Sequence, residues 1–532
     1  MPDEEFPTGN PIGYLEDGGN TVTPRDIGQL LTVGFDGFEA PSSLLGAIRQ
    51  GRVGGVILFA RNIHDASQLR HLTSSLQEAA QLGSHPPLFI SIDQEGGPVR
   101  RLRETFVPLP SAMAMAASGN QKAAARLIYL SAIEMMGLGI NQNYAPDLDV
   151  NNNPLNPVIG IRSFGEEPEF VARWGRIYLE ATQAAGMIAT GKHFPGHGDT
   201  AQDSHTSLPL VPHERPRLEA VELLPFRIAI ASGLRAIMTA HVVFPAFDPV
   251  PYRPATISPA ILGDLIRQEL GFSGLVVTDC MEMDAIKNNV GTAEGTFLAI
   301  DAGADQVLVS HTAQLQDAAY DRLTRGVING ELSATRFKEA LRSVSDTKSQ
   351  IRPTPFTVDR DEARHLAQTI WEGAVAGVGN LGRLPLAGDL TLVTFSGAWH
   401  TPAVDHPEAD APPLVRLLQT HVQRHFALDK DPNEDAIQKV HQAARGMSLV
   451  VALDQAIRHP RQLRLLDRPW NDGLIVALAL SSPYDLRRIP VGSIGLTAFD
   501  PSPEAQTALV KALQGKISPS AQWPITLEVR NR

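Results

Sequence analysis

The segment from Lys192 to His205, KHFPGHGDTAQDSH, concentrates the side chains of this chain that could perform acid/base chemistry. It holds three histidines, two aspartates and one lysine in fourteen residues. Asp203 and His205 are two residues apart, so an extended loop would direct both side chains to one side. The carboxylate could then hold one imidazole nitrogen while the other donates and accepts a proton near neutral pH. We predict that they form a general acid/base pair; the alternative is a solvated surface pair.

A further carboxylate, Asp279, ends the apolar run of LVVTDCMEM. A carboxylate at the end of a buried strand is partly desolvated and rigidly held, so it can attack an electrophilic carbon. Lys192 would help to keep it ionised if it reached across to it. Glycosidases place a nucleophile and a proton donor on either side of the glycosidic oxygen. Asp279 and His205 could supply these two groups, whereas the alternative for Asp279 is a structural strand-end cap.

These histidines could instead bind a metal, because His and Asp ligands suit zinc or non-haem iron. However, His193 and His197 are separated by Phe-Pro-Gly, and proline prevents the helix that normally aligns ligands four residues apart. Lys192 would also place a cation beside the metal. We therefore expect neither a metal nor another cofactor.

Short apolar runs predict the elements that position these residues. Each run is too short for a typical helix and is bounded by Gly, Pro or Asp, as expected of buried parallel strands. Between the runs lie helix signals, such as the N-cap and first-turn proline of Ser258-Pro259 and the terminating Gly271. Eight strands alternating with helices predict a (β/α)₈ barrel of the TIM type, with an open doubly wound sheet as the rival. The eight runs are Leu30–Phe35, Val56–Phe59, Leu88–Ile92, Ile140–Tyr144, Met187–Gly191, Ala236–Thr239, Leu275–Thr278 and Val307–Val309.

Polar side chains follow four of these runs at the point where each strand should end. The carboxyl ends of parallel strands are where functional groups collect in such barrels. A single residue of this kind could cap a helix or loop. Polar residues of mixed charge at four successive strand ends instead indicate a functional site. The residues are Asp93, the pair Lys192 and His193, the pair Thr239 and His241, and Asp279.

After Arg352 the strand and helix pattern restarts, which predicts a second domain. A helical stretch over Asp361–Val378 precedes a new set of apolar runs. We expect a catalytic barrel over residues 1–352 and a smaller α/β sandwich domain over residues 353–532. The strand candidates of the second domain are Leu390–Phe395, Leu449–Leu453, Leu474–Leu480 and Ile494–Ala498.

Composition narrows the class of protein. The net charge of -12 disfavours a nucleic-acid partner. No run approaches the roughly 18 apolar residues of a membrane span, and the acidic start MPDEEFPTGN does not resemble a signal peptide. The single cysteine, Cys280, excludes an intrachain disulfide and fits a reducing compartment. We expect a cytoplasmic protein without nucleic-acid or membrane partners; the sequence leaves the oligomeric state open.

Seven motifs resemble, in order and spacing, the barrel of family 3 glycoside hydrolases of the β-N-acetylglucosaminidase type. They are GGVILFARNI, DQEGGPVRRL, NPVIGIRSFGEEP, GKHFPGHGDTAQDSH, MTAHVVFP, PATISPAIL and LVVTDCMEM, and they span roughly Gly28 to Gly303. The resemblance implies that Asp279 is the nucleophile and that His205, held by Asp203, is the acid/base. His197 would shape the loop or a subsite. Residues that grip the terminal sugar would be Asp93, Arg101, Arg162, Lys192 and His193.

The resemblance implies a retaining exo-β-N-acetylglucosaminidase that acts on a carbohydrate, with peptidoglycan fragments as substrates. Family 3 β-glucosidases generally take a glutamate from the second domain as proton donor and lack the D-S-H loop. Three alternatives stay open: a phosphorylase, since a neutral histidine repels phosphate less than a carboxylate would, a β-glucosidase, and a non-catalytic sugar-binding protein. One departure is Pro98, which stands where typical members carry a basic or polar residue and so bears on the placement of Arg101.

Overall fold

Eight parallel strands close into a barrel in the computed structural model, which describes residues 23–103, 105–203, 207–352, 357–396, 413–419, 421–467 and 473–528. Each strand pairs with the next along the chain, and the eighth pairs with the first. Every strand overlaps one of the predicted runs, so the predicted TIM-type barrel is confirmed. The strands are β1 Leu31–Val33, β2 Gly55–Leu58, β3 Phe89–Ile92, β4 Gln142–Asn143, β5 Ile188–Phe194, β6 Ala236–Thr239, β7 Leu275–Cys280 and β8 Gln306–Val309.

The barrel strands are buried on both faces, which is why most of them read as apolar runs. Among their residues, all of which the structure describes, only Asp279 and Cys280 are not fully buried. The barrel interior is packed with side chains rather than open, as is usual for this fold. The interior cluster consists of Ile57, Tyr144, Met238, Val277 and Leu308.

Helices surround the barrel, and their ends follow local sequence signals. The Ser258 hydroxyl accepts a hydrogen bond from the Ile261 amide (3.2 Å) at the start of helix Ala260–Glu269, which is wound as a π-helix. Gly271 lies just past its end with a φ of 63°, a conformation that glycine adopts without steric cost. The α-helices are Pro24–Gly28, Ser42–Arg49, Ala66–Leu82, Ala112–Ser118, Gln121–Gly137, Pro168–Ala184, Arg215–Ala220, Leu223–Ala231, Asp284–Lys287, Thr292–Ala302, Ala313–Ile328 and Ala334–Lys348.

The second domain is a six-stranded sheet with helices on both faces, as predicted. The sheet order is β9-β14-β13-β12-β10-β11, parallel except for β9, which runs antiparallel to β14. The strands are β9 Ala376–Gly379, β10 Leu390–Phe395, β11 Val422–Leu428, β12 Ser448–Leu453, β13 Ile475–Ala479 and β14 Ile494–Thr497. The helices are Arg360–Gly373, Pro413–Leu417, Glu434–Ala443 and Pro503–Leu513.

The predicted helix over Asp361–Val378 was too long. The helix ends at Gly373, and the apolar residues that follow form the edge strand β9. A short apolar run beyond a helix is ambiguous by periodicity alone. Here pairing with β14 makes it a strand.

The two domains meet where helix Arg360–Gly373 packs against helix Gln121–Gly137. Asp500 of the second domain is buried at this contact, and it accepts hydrogen bonds from the Ser111 amide (2.8 Å) and the Trp371 indole (3.1 Å). We propose the domain boundary near Arg352, since the last barrel helix ends at Lys348. Across the described part of the chain, no helix has the length and apolarity needed to cross a membrane.

Candidate active site

An open pocket lies at the carboxyl ends of the barrel strands, with about 930 Å³ of empty space when the part open to solvent is included. Its floor includes the interior cluster residues Tyr144 and Met238. The structure brings seven of the predicted site residues into its wall. These are Asp93, Arg101, Arg162, Lys192, His193, His197 and Asp279.

The remaining two predicted residues belong to the loop after β5. Asp203 is half-buried, and its carbonyl accepts a hydrogen bond from the Ser207 amide (3.0 Å). His205 lies outside the described residues. The base of this loop is held by Asn156, whose amide donates to the carbonyls of His197 (2.8 Å) and Gly198 (2.9 Å).

Lys192 joins two carboxylates on neighbouring elements. Its ammonium lies 2.7 Å from Asp93 Oδ1 and 2.6 Å from Glu95 Oε1. Burial by itself would lower the pKa of Lys192, but the charges of these carboxylates outweigh it and raise the pKa. The lysine predicted to support Asp279 therefore carries its charge in an ion pair with Asp93 and Glu95.

Glu95 also anchors Arg162. The Arg162 guanidinium donates two hydrogen bonds to its carboxylate, both 2.8 Å long, and a third to the Val158 carbonyl (3.1 Å). Glu95 is 4% exposed. Burial alone would raise its pKa, yet the charges of Arg162 and Lys192 lower it well below its usual value. Glu95 is therefore ionised and couples two predicted sugar-binding residues.

Arg101 lies in the same pocket wall as Lys192 and Arg162, although Pro98 precedes it by three residues. Its backbone amide donates to Gln94 Oε1 (2.8 Å), and its guanidinium lies 3.7 Å from Asp93 Oδ2. The guanidinium carbon is 5.7 Å from the centre of the Phe59 ring. Pro98 thus does not remove Arg101 from the pocket wall.

A buried aspartate fixes the position of the His193 ring, and burial keeps the ring neutral. Its Nδ1 lies 2.7 Å from Asp149 Oδ2, and Asp149 Oδ1 accepts a hydrogen bond from the His197 amide (2.6 Å). Burial, and then the charge of Arg162, lower the pKa of His193 to about 4. Because Nδ1–H donates to Asp149, the Nε2 of His193 is left as a hydrogen-bond acceptor for a ligand.

The same residues form a possible metal-binding group with Asp147, since one ligand atom of each of Asp147, Asp149 and His193 lies within 4.8 Å of the others. The donor set fits a cation poorly. His193 Nδ1 is bonded to Asp149, and the Arg162 guanidinium stands 3.8 Å from Asp147 Oδ2. These three residues are better explained as a hydrogen-bonded support beneath the pocket.

Asp279 projects from the end of β7 with a fixed neighbour. Its Oδ1 accepts a hydrogen bond from the Cys280 amide (2.7 Å), while the Cys280 carbonyl is bonded to His241 Nε2 (2.9 Å). Burial raises the pKa of the Cys280 thiol to about 11, so the thiol is neutral. Burial, followed by the charges of Asp93 and Asp279, raises the pKa of Tyr144. The negative charges of Asp93 and Asp279 therefore both disfavour ionisation of the Tyr144 phenol at the pocket floor.

Sequence reasoning missed three buried carboxylates of this site. Glu95 lies in the quoted motif DQEGGPVRRL, two residues after Asp93. Asp147 and Asp149 follow the fourth apolar run in NYAPDLDV. That position at a strand end was the available signal, because the same criterion identified Asp93 and Asp279.

A closed parallel barrel whose carboxyl-end pocket is ringed by paired carboxylates and cations defines a (β/α)₈ enzyme. Residues 22–347 match the model described as the glycosyl hydrolase family 3 N terminal domain. The chain belongs to glycosyl hydrolase family 3, and its prediction as a glycoside hydrolase is confirmed.

Similar proteins are known across both domains. Beta-hexosaminidase A of Pseudoalteromonas piscicida is 35% identical over 439 residues, which cover 75% of this chain and 71% of that protein. A beta-hexosaminidase of Alkalilimnicola ehrlichii is 39% identical over 52% of this chain and 80% of its own length. The solved structure of a family 3 beta-N-acetylglucosaminidase from Paenibacillus sp. str. FPU-7 is 36% identical, with a TM-score of 0.86 over 96% of this chain and 100% of its own.

Proposed function

We propose that this enzyme is a retaining exo-β-N-acetylglucosaminidase that releases N-acetylglucosamine from the non-reducing ends of peptidoglycan fragments. The observation that carries the proposal is a pocket with a packed floor in which Asp279 shares the wall with Asp93, Arg162 and Lys192. Such a pocket suits one terminal sugar. The hexosaminidase names of the similar proteins support an N-acetylated sugar. The single cysteine fits a cytoplasmic setting.

In the proposed first step, Asp279 attacks the anomeric carbon and forms a glycosyl ester. His205, protonated and held by Asp203, gives its proton to the leaving oxygen. Lys192 and Arg162 donate hydrogen bonds to the hydroxyl groups of the sugar ring.

In the second step, His205 is neutral and takes a proton from water. The water attacks the anomeric carbon from the face that the leaving group vacated, and the ester to Asp279 breaks. Two inversions at one carbon give net retention of the β configuration.

The proposal is tested by 4-nitrophenol release from the β-N-acetylglucosaminide and the β-glucoside in phosphate-free buffer. We expect rapid release from the N-acetylglucosaminide and little from the glucoside. Preference for the glucoside would indicate a β-glucosidase. Release that requires phosphate and yields a sugar 1-phosphate would indicate a phosphorylase, and binding without turnover a sugar-binding protein.

Replacing Glu95 with glutamine is expected to lower kcat/KM by about 100-fold, since it leaves Arg162 and Lys192 buried with less negative charge to orient them. The measurement is kcat/KM on the 4-nitrophenyl N-acetylglucosaminide, together with the melting temperature. Glu134→Gln is the matched control, because Glu134 is a buried glutamate paired with Arg360 (2.6 Å) outside the pocket. Activity within threefold of wild type for Glu95→Gln would contradict the proposed positioning role.

A further inference from the structure

The Asn156 side chain joins two loops at the carboxyl end of the barrel and uses all of its hydrogen-bonding groups to do so. Its Nδ2 donates to the carbonyls of His197 (2.8 Å) and Gly198 (2.9 Å) in the loop after β5. Its Oδ1 accepts hydrogen bonds from the amides of Val158 (2.8 Å) and Ile159 (2.8 Å) in its own loop, which follows β4. Since two partners are carbonyls and two are N–H groups, only one orientation of the side-chain amide satisfies all four.

The donor side of Asn156 holds the base of the loop after β5. We call this loop the acid/base loop, because it leads to Asp203 and His205. The Thr200 hydroxyl strengthens the same link, since it lies 3.3 Å from Asn156 Nδ2 and 2.9 Å from the imidazole Nδ1 of His197. The base of the acid/base loop therefore cannot shift without breaking hydrogen bonds to Asn156.

Close packing restricts the base of the acid/base loop further. Gly198 passes so near the loop after β4 that a Cβ atom there would lie 1.8 Å from the Val150 carbonyl oxygen. Thr200 is fully buried, whereas the two residues after it are exposed. The tightly packed part of the loop thus ends at Thr200, which Asn156 contacts. The position of Thr200 sets the point from which the chain extends to Asp203.

The acceptor side of Asn156 holds the turn that carries Arg162. The two residues whose amides bind Asn156 use their carbonyls to bind Arg162. The Val158 carbonyl accepts a hydrogen bond from the Arg162 guanidinium (3.1 Å), and the Ile159 carbonyl accepts one from the Arg162 backbone amide (2.9 Å). Arg162 lies in the pocket wall, paired with Glu95. One side-chain amide therefore connects a predicted sugar-binding guanidinium to the loop that leads to the acid/base pair.

We propose that Asn156 is a positioning residue that fixes the acid/base loop relative to Arg162, so that the proton donor is aligned with the sugar in the pocket. This inference rests on the proposed function. Within the part of the chain that the structure describes, Asn156 is not in the pocket wall, so it acts through the two loops that it joins. Asparagine suits this position because its amide offers donors to one loop and an acceptor to the other. Aspartate has the same shape but would present an oxygen to both loops.

Replacing Asn156 with aspartate separates the two sides of the link. Aspartate keeps an oxygen for the Val158 and Ile159 amides, but it places its second oxygen against the carbonyls of His197 and Gly198. We expect kcat/KM on the β-1,4-linked disaccharide of N-acetylglucosamine to fall by about 100-fold, because a displacement of roughly 1 Å has an effect of this size. On the 4-nitrophenyl N-acetylglucosaminide, whose leaving group needs no proton, kcat/KM should stay within about threefold of wild type.

Two further variants distinguish loss of position from general damage. Asn141→Ala is the matched control, because Asn141 bonds to the Leu88 carbonyl (3.0 Å) and the Ile90 amide (2.9 Å) at the opposite end of the barrel. It should lower the melting temperature and leave kcat/KM on both substrates unchanged. Asn156→Ala removes both sides of the link. It should show the selectivity of Asn156→Asp and also raise KM for both substrates by about fivefold, since the turn that carries Arg162 loses its support.

The double variant Asn156→Asp/His205→Ala tests whether Asn156 acts through the proton donor. If it does, kcat/KM on the disaccharide should equal that of His205→Ala alone, because a misplaced donor and an absent donor remove the same contribution. Losses that multiply in the double variant, an Asn156→Asp loss that is equal on both substrates, or no loss at all would overturn the positioning role. If wild type releases N-acetylglucosamine from neither substrate, the proposed function itself fails, and this inference fails with it.

Discussion

Replacing Asp279 with alanine is expected to lower kcat on the 4-nitrophenyl N-acetylglucosaminide by about 10⁴-fold or more, because no glycosyl ester can then form. The carboxylate ends β7, and its Oδ1 is held by the Cys280 amide. The measurement is steady-state release of 4-nitrophenol at matched protein concentration and melting temperature.

Azide distinguishes loss of a nucleophile from general damage to the site. A small anion can occupy the space that the Asp279 carboxylate leaves and attack the anomeric carbon from the same face. The product should be the α-glycosyl azide, since attack opposite a β leaving group inverts the configuration. Cys280→Ser is the control for disturbance of the strand end and should retain activity. Wild-type rates for Asp279→Ala, or a β-azide product, would exclude Asp279 as the nucleophile.

Replacing His205 with alanine is expected to lower kcat/KM by about 10³-fold on a disaccharide substrate, because proton donation by a positioned acid typically contributes 10²–10⁴-fold. On the 4-nitrophenyl substrate the loss in kcat/KM should be about tenfold or less, since 4-nitrophenolate leaves without a proton. Comparing the two substrates isolates the proton-donation step, which kcat/KM reports.

Two further variants test whether the effect of His205→Ala comes from loss of the proton donor. Asp203→Asn should show the same dependence on leaving group with a smaller loss, since it weakens the partner of the imidazolium and leaves the ring in place. His213→Ala is the matched control, because His213 pairs with Asp199 (2.6 Å) outside the pocket wall. Equal losses on both substrates for His205→Ala would remove its assignment as proton donor.

The barrel could be predicted because its strands are buried on both faces. Most such strands appear as apolar runs, and all eight lie where they are expected. The exception in composition is β4, Gln142–Asn143, whose two polar residues are buried. The second domain was predicted less completely. Strand β11, Val422–Leu428, lies at the sheet edge with mostly exposed or half-buried residues, so it lacked an apolar run. For strand β9 the sequence pattern predicts the end of a helix, since only the pairing with β14 identifies these residues as a strand.

The eight strands, the family and the candidate residues at the strand ends could be predicted from the sequence, since position after an apolar run is a local property. The buried carboxylates that pair with these candidates became known only from the fold. Glu95 meets Arg162 from 67 residues away, and Asp149 meets His193 from 44 residues away. Burial then keeps His193 neutral while the charges of Arg162 and Lys192 keep Glu95 ionised. These states depend on desolvation and on neighbours distant in the chain, and no local pattern records either.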